Sequence, residues 1–155
     1  MKEVALLLHN IRSAHNVGSI FRTADAAGVS RIFLTGYTPA PVDRFGRVQK
    51  DIAKTALGAE KFVEWESSKN IKNQISKLKN KGWRIVGVEQ DVRAKDYRKL
   101  KMRSKTLFIL GNEVRGISRS LRAQCDVLVE IPMCGKKESL NVSVAAGIVL
   151  FQSRE

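Results

Sequence analysis

The sequence predicts an α/β protein, a mainly parallel six-stranded sheet flanked by helices. Two observations carry this reading. Apolar runs of strand length alternate with segments of helical period, the pattern of consecutive βαβ units. Most of the runs are continuously apolar, as strands covered by helices on both faces should be. The 155 residues suit one domain over 1–155, and 43% hydrophobic content is enough to bury a core without disulfide or metal staples.

In chain order the strands fall at 4–8, Arg31–Thr35, 61–65, Arg84–Val88, 106–110 and 127–131. Between the first two, Asn16 is placed to cap a helix that carries Ile20, Phe21 and Ala24 and stops at Gly28, a residue suited to a left-handed C-terminal turn. Ser67 or Ser68 starts the next helix, with Ile71, Ile75 and Leu78 on one face and Gly82 at its end. A shorter helix follows Gly116 through Leu121. The last segment, 140–151, is apolar around its whole circumference, so it should pack against something beyond its own sheet; a second copy of the chain would serve.

Composition narrows the function classes. The chain has 28 Lys and Arg against 15 Asp and Glu, a net charge of +13 that favours a polyanionic partner such as nucleic acid. The densest basic run is 93–105, where Arg93, Lys95, Arg98, Lys99, Lys101, Arg103 and Lys105 surround Tyr97; phosphate contact and a solvated loop are the two readings. No apolar run has the ~18 residues of a membrane span, and the N-terminal apolar stretch is too short for a secretory signal, so a cytoplasmic protein is expected. Cys125 and Cys134 lack the spacing of a redox or zinc pair and have no histidine to complete a metal set, so both are read as reduced and no metal is expected.

Three segments do not look like ordinary connections, and each sits where a strand should end, the place where open α/β sheets hold ligands. The first, 9–25, crowds His9, Asn10, Arg12, Asn16 and Arg22 into a strand-to-helix turn. A helix N-terminus can hold a phosphate there, with Arg12 and Arg22 adding bidentate donors; simple capping by Asn16 and a surface role for Arg22 are the alternatives. The second is Gly111-Asn112-Glu113 through Gly116, a carboxylate bracketed by glycines after a buried strand. Gly111 permits close approach of a ligand to the backbone, and Gly116 a tight turn into the next helix. Glu113 could equally cap that helix or pair with Arg115 or Arg119. The segment is neither GxxxxGK[ST] nor GxGxxG. In the third, 129–146, Pro132 closes a strand and a lysine-rich loop leads to Ser139, an N-cap candidate, with Asn141 and Ser143 in the first turn of an apolar helix. Capping accounts for Ser139 but not for Asn141 beside it, and an amide at the edge of a buried surface needs a hydrogen-bonding task.

Taken together and in this order, the three segments resemble the three motifs of the SpoU (TrmH-like) branch of the SPOUT RNA methyltransferase superfamily, over nearly the whole chain. The stretch from Asn16 to Arg22 resembles the first motif, Gly111-Asn112-Glu113 through Gly116 the second, and Ile131-Pro132-Met133 with Ser139-Leu140-Asn141-Val142-Ser143 the third. The resemblance implies a sheet whose C-terminal part is threaded into a deep trefoil knot, a rare exception to the unknotted rule. It also implies a homodimer that buries the knot and the last helix, and S-adenosylmethionine as cofactor. The implied activity is methylation of an RNA ribose 2′-hydroxyl.

By the same resemblance Val88, Leu110, Gly111, Ile131, Met133, Ser139 and Leu140 would contact the cofactor. Arg22 would be the catalytic residue, acting across the dimer interface, with Asn16, Glu113, Ser139 and Asn141 arranging substrate and cofactor. RNA contact is expected at Arg12, Arg22, Arg44 and Arg47, the last two in a loop over 37–50 that also carries Tyr37, Phe45 and two prolines, where an aromatic beside cations suits a nucleotide and a floppy connection is the alternative. The sequence carries no recognisable added RNA-binding domain, so target choice is expected to come from the dimer surface, with transfer RNA favoured over ribosomal RNA. A non-catalytic RNA-binding protein on the same fold and a base-directed RNA methyltransferase are the two rival readings.

Overall fold

A computed structural model describes residues 2–155. Seven strands, all paired in parallel, form one sheet. They are β1 (Glu3–His9), β2 (Arg31–Thr35), β3 (Glu64–Ser68), β4 (Arg84–Val88), β5 (Lys95–Asp96), β6 (Lys105–Leu110) and β7 (Val127–Glu130), in the order β3-β2-β1-β6-β4-β7-β5. The helices are α1 (Ala14–Ala27), α2 (Lys50–Ala56), α3 (Ile71–Asn80), α4 (Arg119–Gln124) and α5 (Val142–Gln152).

The continuous apolar runs have the reason expected of them. Along β1, Val4, Leu6 and Leu8 enter one core cluster with Ile20 and Phe21 of α1, Ile52 of α2 and Val149 of α5. Ala5 and Leu7 enter the other, with Ile75 and Leu78 of α3 and Leu121 of α4. Successive side chains point to opposite faces of a strand, so a strand buried on both faces must be apolar at every position.

Four expectations are corrected. The sheet has seven strands and not six, because Lys95–Asp96 adds a two-residue edge strand beside β7. The third strand lies three residues later than 61–65: a short 3-10 turn, Ala59–Lys61, and the bend after it take residues 61–63, and β3 pairs only with β2 at the sheet edge, where half-exposed residues carry little apolar signal. The first helix is capped by Ser13, whose hydroxyl accepts the N–H of Asn16, and not by Asn16 itself. The third is capped by Asn70, which accepts the N–H of Asn73, in place of Ser67 or Ser68.

Helix α2 was not foreseen. Its seven residues bury Ile52 and Ala56 against α1, where Gly18 lets the helices meet: a Cβ there would strike Thr55 Oγ1 and the Ile52 carbonyl. The predicted stop at Gly28 holds, with φ +73 and its N–H bonded to the carbonyls of Ala24 and Asp25. No helix among the described residues is long and apolar enough to cross a membrane.

The order of the sheet positions the site. β6 lies between β1 and β4, and β7 between β4 and β5, so the last two strands enter between strands already laid down earlier in the chain. Their C-terminal ends, with that of β4, open on one side of the sheet.

Candidate active site

A cavity of about 290 Å³ lies beyond the C-terminal ends of β4, β6 and β7. Val88, Leu110, Gly111, Ile131, Met133, Ser139 and Leu140, the seven positions expected to meet a cofactor, all line it. They come from three strand ends and from the loop that joins β7 to α5, and only the fold brings them together.

The wall between β6 and α4 is a tight backbone loop. Gly116 N–H donates to the Asn112 carbonyl at 2.8 Å, and Asn112 Oδ1 accepts the N–H groups of Val114 and Arg115, both at 2.9 Å. A Cβ on Gly111 would meet the peptide of Gly116 at 2.6 Å. The smallness of Gly111 therefore serves this close backbone approach as well as the cavity wall, where ligand access was the expected reason. Gly116 sits at φ +67, and a Cβ there would enter the Glu89 carboxylate.

Glu113 faces the other way, to the start of α1. Its Oε1 accepts the N–H of Arg12 at 3.0 Å, and its Oε2 the N–H of Ser13 at 2.9 Å, with the Asn16 amide at 3.5 Å. Burial pushes this carboxyl up, but the N–H groups of Arg12 and Ser13, its own N–H and the Asn16 amide outweigh it, so the group lies below the usual glutamate range. The alternatives of capping the following helix or pairing with Arg115 or Arg119 are replaced by this tether. Asn112 adds a second link, its Nδ2 donating to the Asn10 carbonyl and to Tyr37 Oη, both at 2.9 Å.

Glu89 was missed. Its Oε2 accepts the N–H of Ile117 at 2.7 Å and its Oε1 the N–H of Gln90 at 3.1 Å, so it holds the loop after Gly116 against the end of β4 while lining the cavity. The available signal was its position immediately after an apolar strand.

At the third segment Asn141, not Ser139, caps α5. Its Oδ1 accepts the N–H of Ser143 at 2.8 Å and the hydroxyl of Ser143 at 2.6 Å. This is the hydrogen-bonding task that the sequence left open for Asn141, and it leaves Ser139 exposed on the cavity rim.

The cations lie elsewhere. Arg22 is exposed on α1 and does not line the cavity of its own chain. Arg12 is exposed at the start of α1, held by its backbone to Glu113. Arg44 and Arg47 flank Phe45, and Arg47 is also paired with Asp43 at 2.8 Å. In the run 93–105, Arg93 pairs with Asp91 and Arg98 with Asp96. The unpaired cations there, among the described residues, are Lys95, Lys99, Lys101, Arg103 and Lys105, the last donating to the Lys81 carbonyl.

The family model described as the SpoU rRNA methylase family matches residues 3–151. The chain belongs to this family. Among SpoU relatives it is 36% identical over 149 residues to the 23S rRNA (guanosine-2′-O-)-methyltransferase RlmB of Neisseria meningitidis serogroup B, covering 96% of this chain and 57% of the relative. The AdoMet-bound rRNA methyltransferase of Sinorhizobium meliloti superposes with a TM-score of 0.89 at 29% identity, over 98% of this chain and 56% of that one. The A. aeolicus TrmH/SpoU tRNA modifying enzyme gives 0.86 at 28% identity, over 99% and 75%. The SpoU chain thus spans a little over half the length of the curated relatives it matches.

The SpoU cavity differs in charge from the rest of the molecule. Glu89, Glu113, Glu130 and Glu138 line it in a chain of net charge +13. With the Glu113 carboxylate turned to α1, the carboxylates of Glu89, Glu130 and Glu138 beside the apolar Val88, Leu110, Ile131, Met133 and Leu140 suit a ligand that joins cationic to apolar parts.

Proposed function

We propose that this chain transfers a methyl group from S-adenosylmethionine to a ribose 2′-hydroxyl of RNA, that it does so as a cytoplasmic homodimer, and that transfer RNA is favoured over ribosomal RNA. The observation that carries the reading is one cavity formed by the second and third motif segments and tied through Glu113 to the first. The SpoU membership, the 2′-O-directed relative and the AdoMet-bound neighbour support it.

The residues fit the cofactor. Its sulfonium and ammonium charges suit the carboxylates around the cavity, and its adenine and thioether carbons suit the apolar wall. S-adenosylmethionine supplies an electrophilic methyl group to an attacking oxygen. The protein must then hold the hydroxyl in line with that methyl and stabilise the oxygen as its proton leaves. Arg22 is the group for this second task. A guanidinium loses its proton only above about pH 12, so it acts by orienting a phosphate and stabilising the developing alkoxide while phosphate or water takes the proton. Asn16 and Ser139 arrange the substrate, and Glu113 and Asn141 fix the loops that carry them.

A dimer gives Arg22 a cavity to serve. Val144 and Phe151 of α5 are each 50% exposed, and with the half-buried Ile148 they follow the i, i+4, i+7 spacing of one helix face. That face lies beside α1, since Gly147 approaches Thr23, the residue next to Arg22. A second copy seated on α5 would bring its Arg22 towards this chain's cavity. The insertion of β6 and β7 between earlier strands supports the knotted threading. Two free cysteines suit a reducing compartment.

Incubation with radiolabelled S-adenosylmethionine and total RNA from a source lacking the modification, followed by size separation, tests this reading. Label in the transfer RNA fraction is expected. Label in ribosomal RNA would move the substrate, and bound cofactor with no label in any RNA would favour the non-catalytic reading.

A further inference from the structure

The segment between β2 and α2 carries an exposed aromatic and cationic surface in a fixed shape. Residues 41–49 form a closed hairpin: Val42 and Val48 bridge, Gln49 N–H donates to the Pro41 carbonyl at 2.9 Å, and Gly46 turns the tip at φ +78. Asp43 holds the turn from inside, its Oδ1 accepting the N–H groups of Phe45 and Arg47 at 2.8 and 3.0 Å and its Oδ2 the Arg47 Nε at 2.8 Å. On this frame Phe45 is 67% exposed, with the guanidinium of Arg44 at 4.7 Å and that of Arg47 at 5.0 Å from its ring centre. Tyr37, 58% exposed, is fixed at the other end of the segment by Asn10 Oδ1, which accepts its N–H, and by the cavity-lining Asn112.

Folding leaves such rings in water only at a cost, and nothing in the chain's own core uses them. The two guanidinium groups lie over the Phe45 ring, so a flat π-surface that displaces one of them gains the ring face and leaves the displaced cation beside any negative charge it carries. An unpaired nucleotide has both, whereas a duplex hides its base faces and offers phosphates alone. Phe45 lies eight positions after Tyr37, so their Cα atoms are no more than about 28 Å apart, a span that a few nucleotides can bridge.

We infer that this segment is a preordered dock for unpaired RNA, in which Phe45 stacks on a base, Arg44 and Arg47 hold the adjoining phosphates, and Tyr37 receives the strand at the cavity rim. The dock rests on the RNA methyltransferase reading and deepens it: the target ribose lies in, or beside, a single-stranded stretch. Its ordered hairpin limits the entropy lost on binding, since the rings are already placed.

The test is fluorescence anisotropy with a labelled single-stranded oligoribonucleotide of about 12 nucleotides, compared with a blunt duplex of the same sequence. Phe45→Leu is expected to weaken the single-strand complex about 5- to 100-fold and the duplex complex less than about twofold. Tyr37→Leu should act in the same direction, and Arg44→Ala should reduce the salt slope by about one. Melting temperature and calorimetric cofactor binding, on the same preparations, show that the variants are folded. Equal losses on both probes, or none, overturn the dock even if the chain methylates RNA. A Phe45→Leu change in oligomeric state without a change in RNA affinity overturns it too, and assigns the hairpin to a protein interface. A chain that binds no cofactor while Phe45 still discriminates the probes would instead defeat the methyl-transfer reading and leave the dock standing.

Discussion

Glu113 accepts the backbone N–H of Ser13 at 2.9 Å across 100 positions of sequence. With the parallel bond from Arg12, this makes one carboxylate of the second motif the acceptor for the start of α1, where two N–H groups would otherwise lack partners. The cavity wall and the helix that carries Asn16 and Arg22 are therefore one mechanical unit.

Replacing that carboxylate should show it. Glu113→Gln keeps one acceptor oxygen but turns an NH2 group towards an N–H donor, which should cost about 1–3 kcal/mol and lower the melting temperature by about 2–12 °C. Because the Glu113 carboxyl lies below its usual range, its contribution is fully present above that range and is lost as pH falls below it and through the lowered folded value. The stability gap between the wild-type chain and Glu113→Gln should thus hold at neutral pH and close in acid. Unchanged melting, methylation and cofactor binding at pH 7 would show that the tether does nothing.

Gly116 tests the loop from its other side. Gly116→Ala forces a side chain into a positive-φ position and towards the Glu89 carboxylate, which should cost about 1–3 kcal/mol and reduce cofactor affinity by displacing the cavity wall. Calorimetric titration with S-adenosylmethionine and a thermal melt measure both effects; wild-type affinity would separate the loop from the cofactor site.

The start of α5 separates two neighbouring polar residues. Asn141→Ala removes the observed cap and should destabilise by about 0.5–2 kcal/mol. Ser139→Ala should leave the melting temperature unchanged and weaken ligand binding at the cavity rim. If denaturant midpoints showed the reverse, Ser139 would be the cap.

Arg22 carries the proposed chemistry but does not line the cavity at the strand ends of its own chain. Arg22→Ala and Arg22→Lys should each lower turnover about 100- to 1,000-fold with cofactor affinity unchanged, because a lysine cannot reproduce bidentate phosphate geometry. Retained single-turnover rates in the lysine variant would rule out a need for the fork of a guanidinium.

The centre of the sheet was legible because burial on both faces leaves a continuous apolar run, and the three motif segments stood out as polar clusters at strand ends. The misreadings have a common physical cause. Ser13 and Asn16 are both competent caps, and the choice between them lies with Glu113, a hundred residues away. Glu89 belongs to no repeating pattern, and its task is visible only when Gly116 folds back onto it. Strand β5 is two residues long in a basic run, and α2 has only two buried residues, so neither has enough apolar surface to announce itself. Within a single chain the geometry brings the seven expected cofactor positions together but leaves Arg22 apart from them.

Nuclease and nucleoside analysis of RNA labelled by the purified protein with radioactive S-adenosylmethionine tests the central claim most directly. The account predicts label in 2′-O-methylated nucleosides, released as nuclease-resistant dinucleotides. Label confined to methylated bases would contradict it and give the cavity a different acceptor.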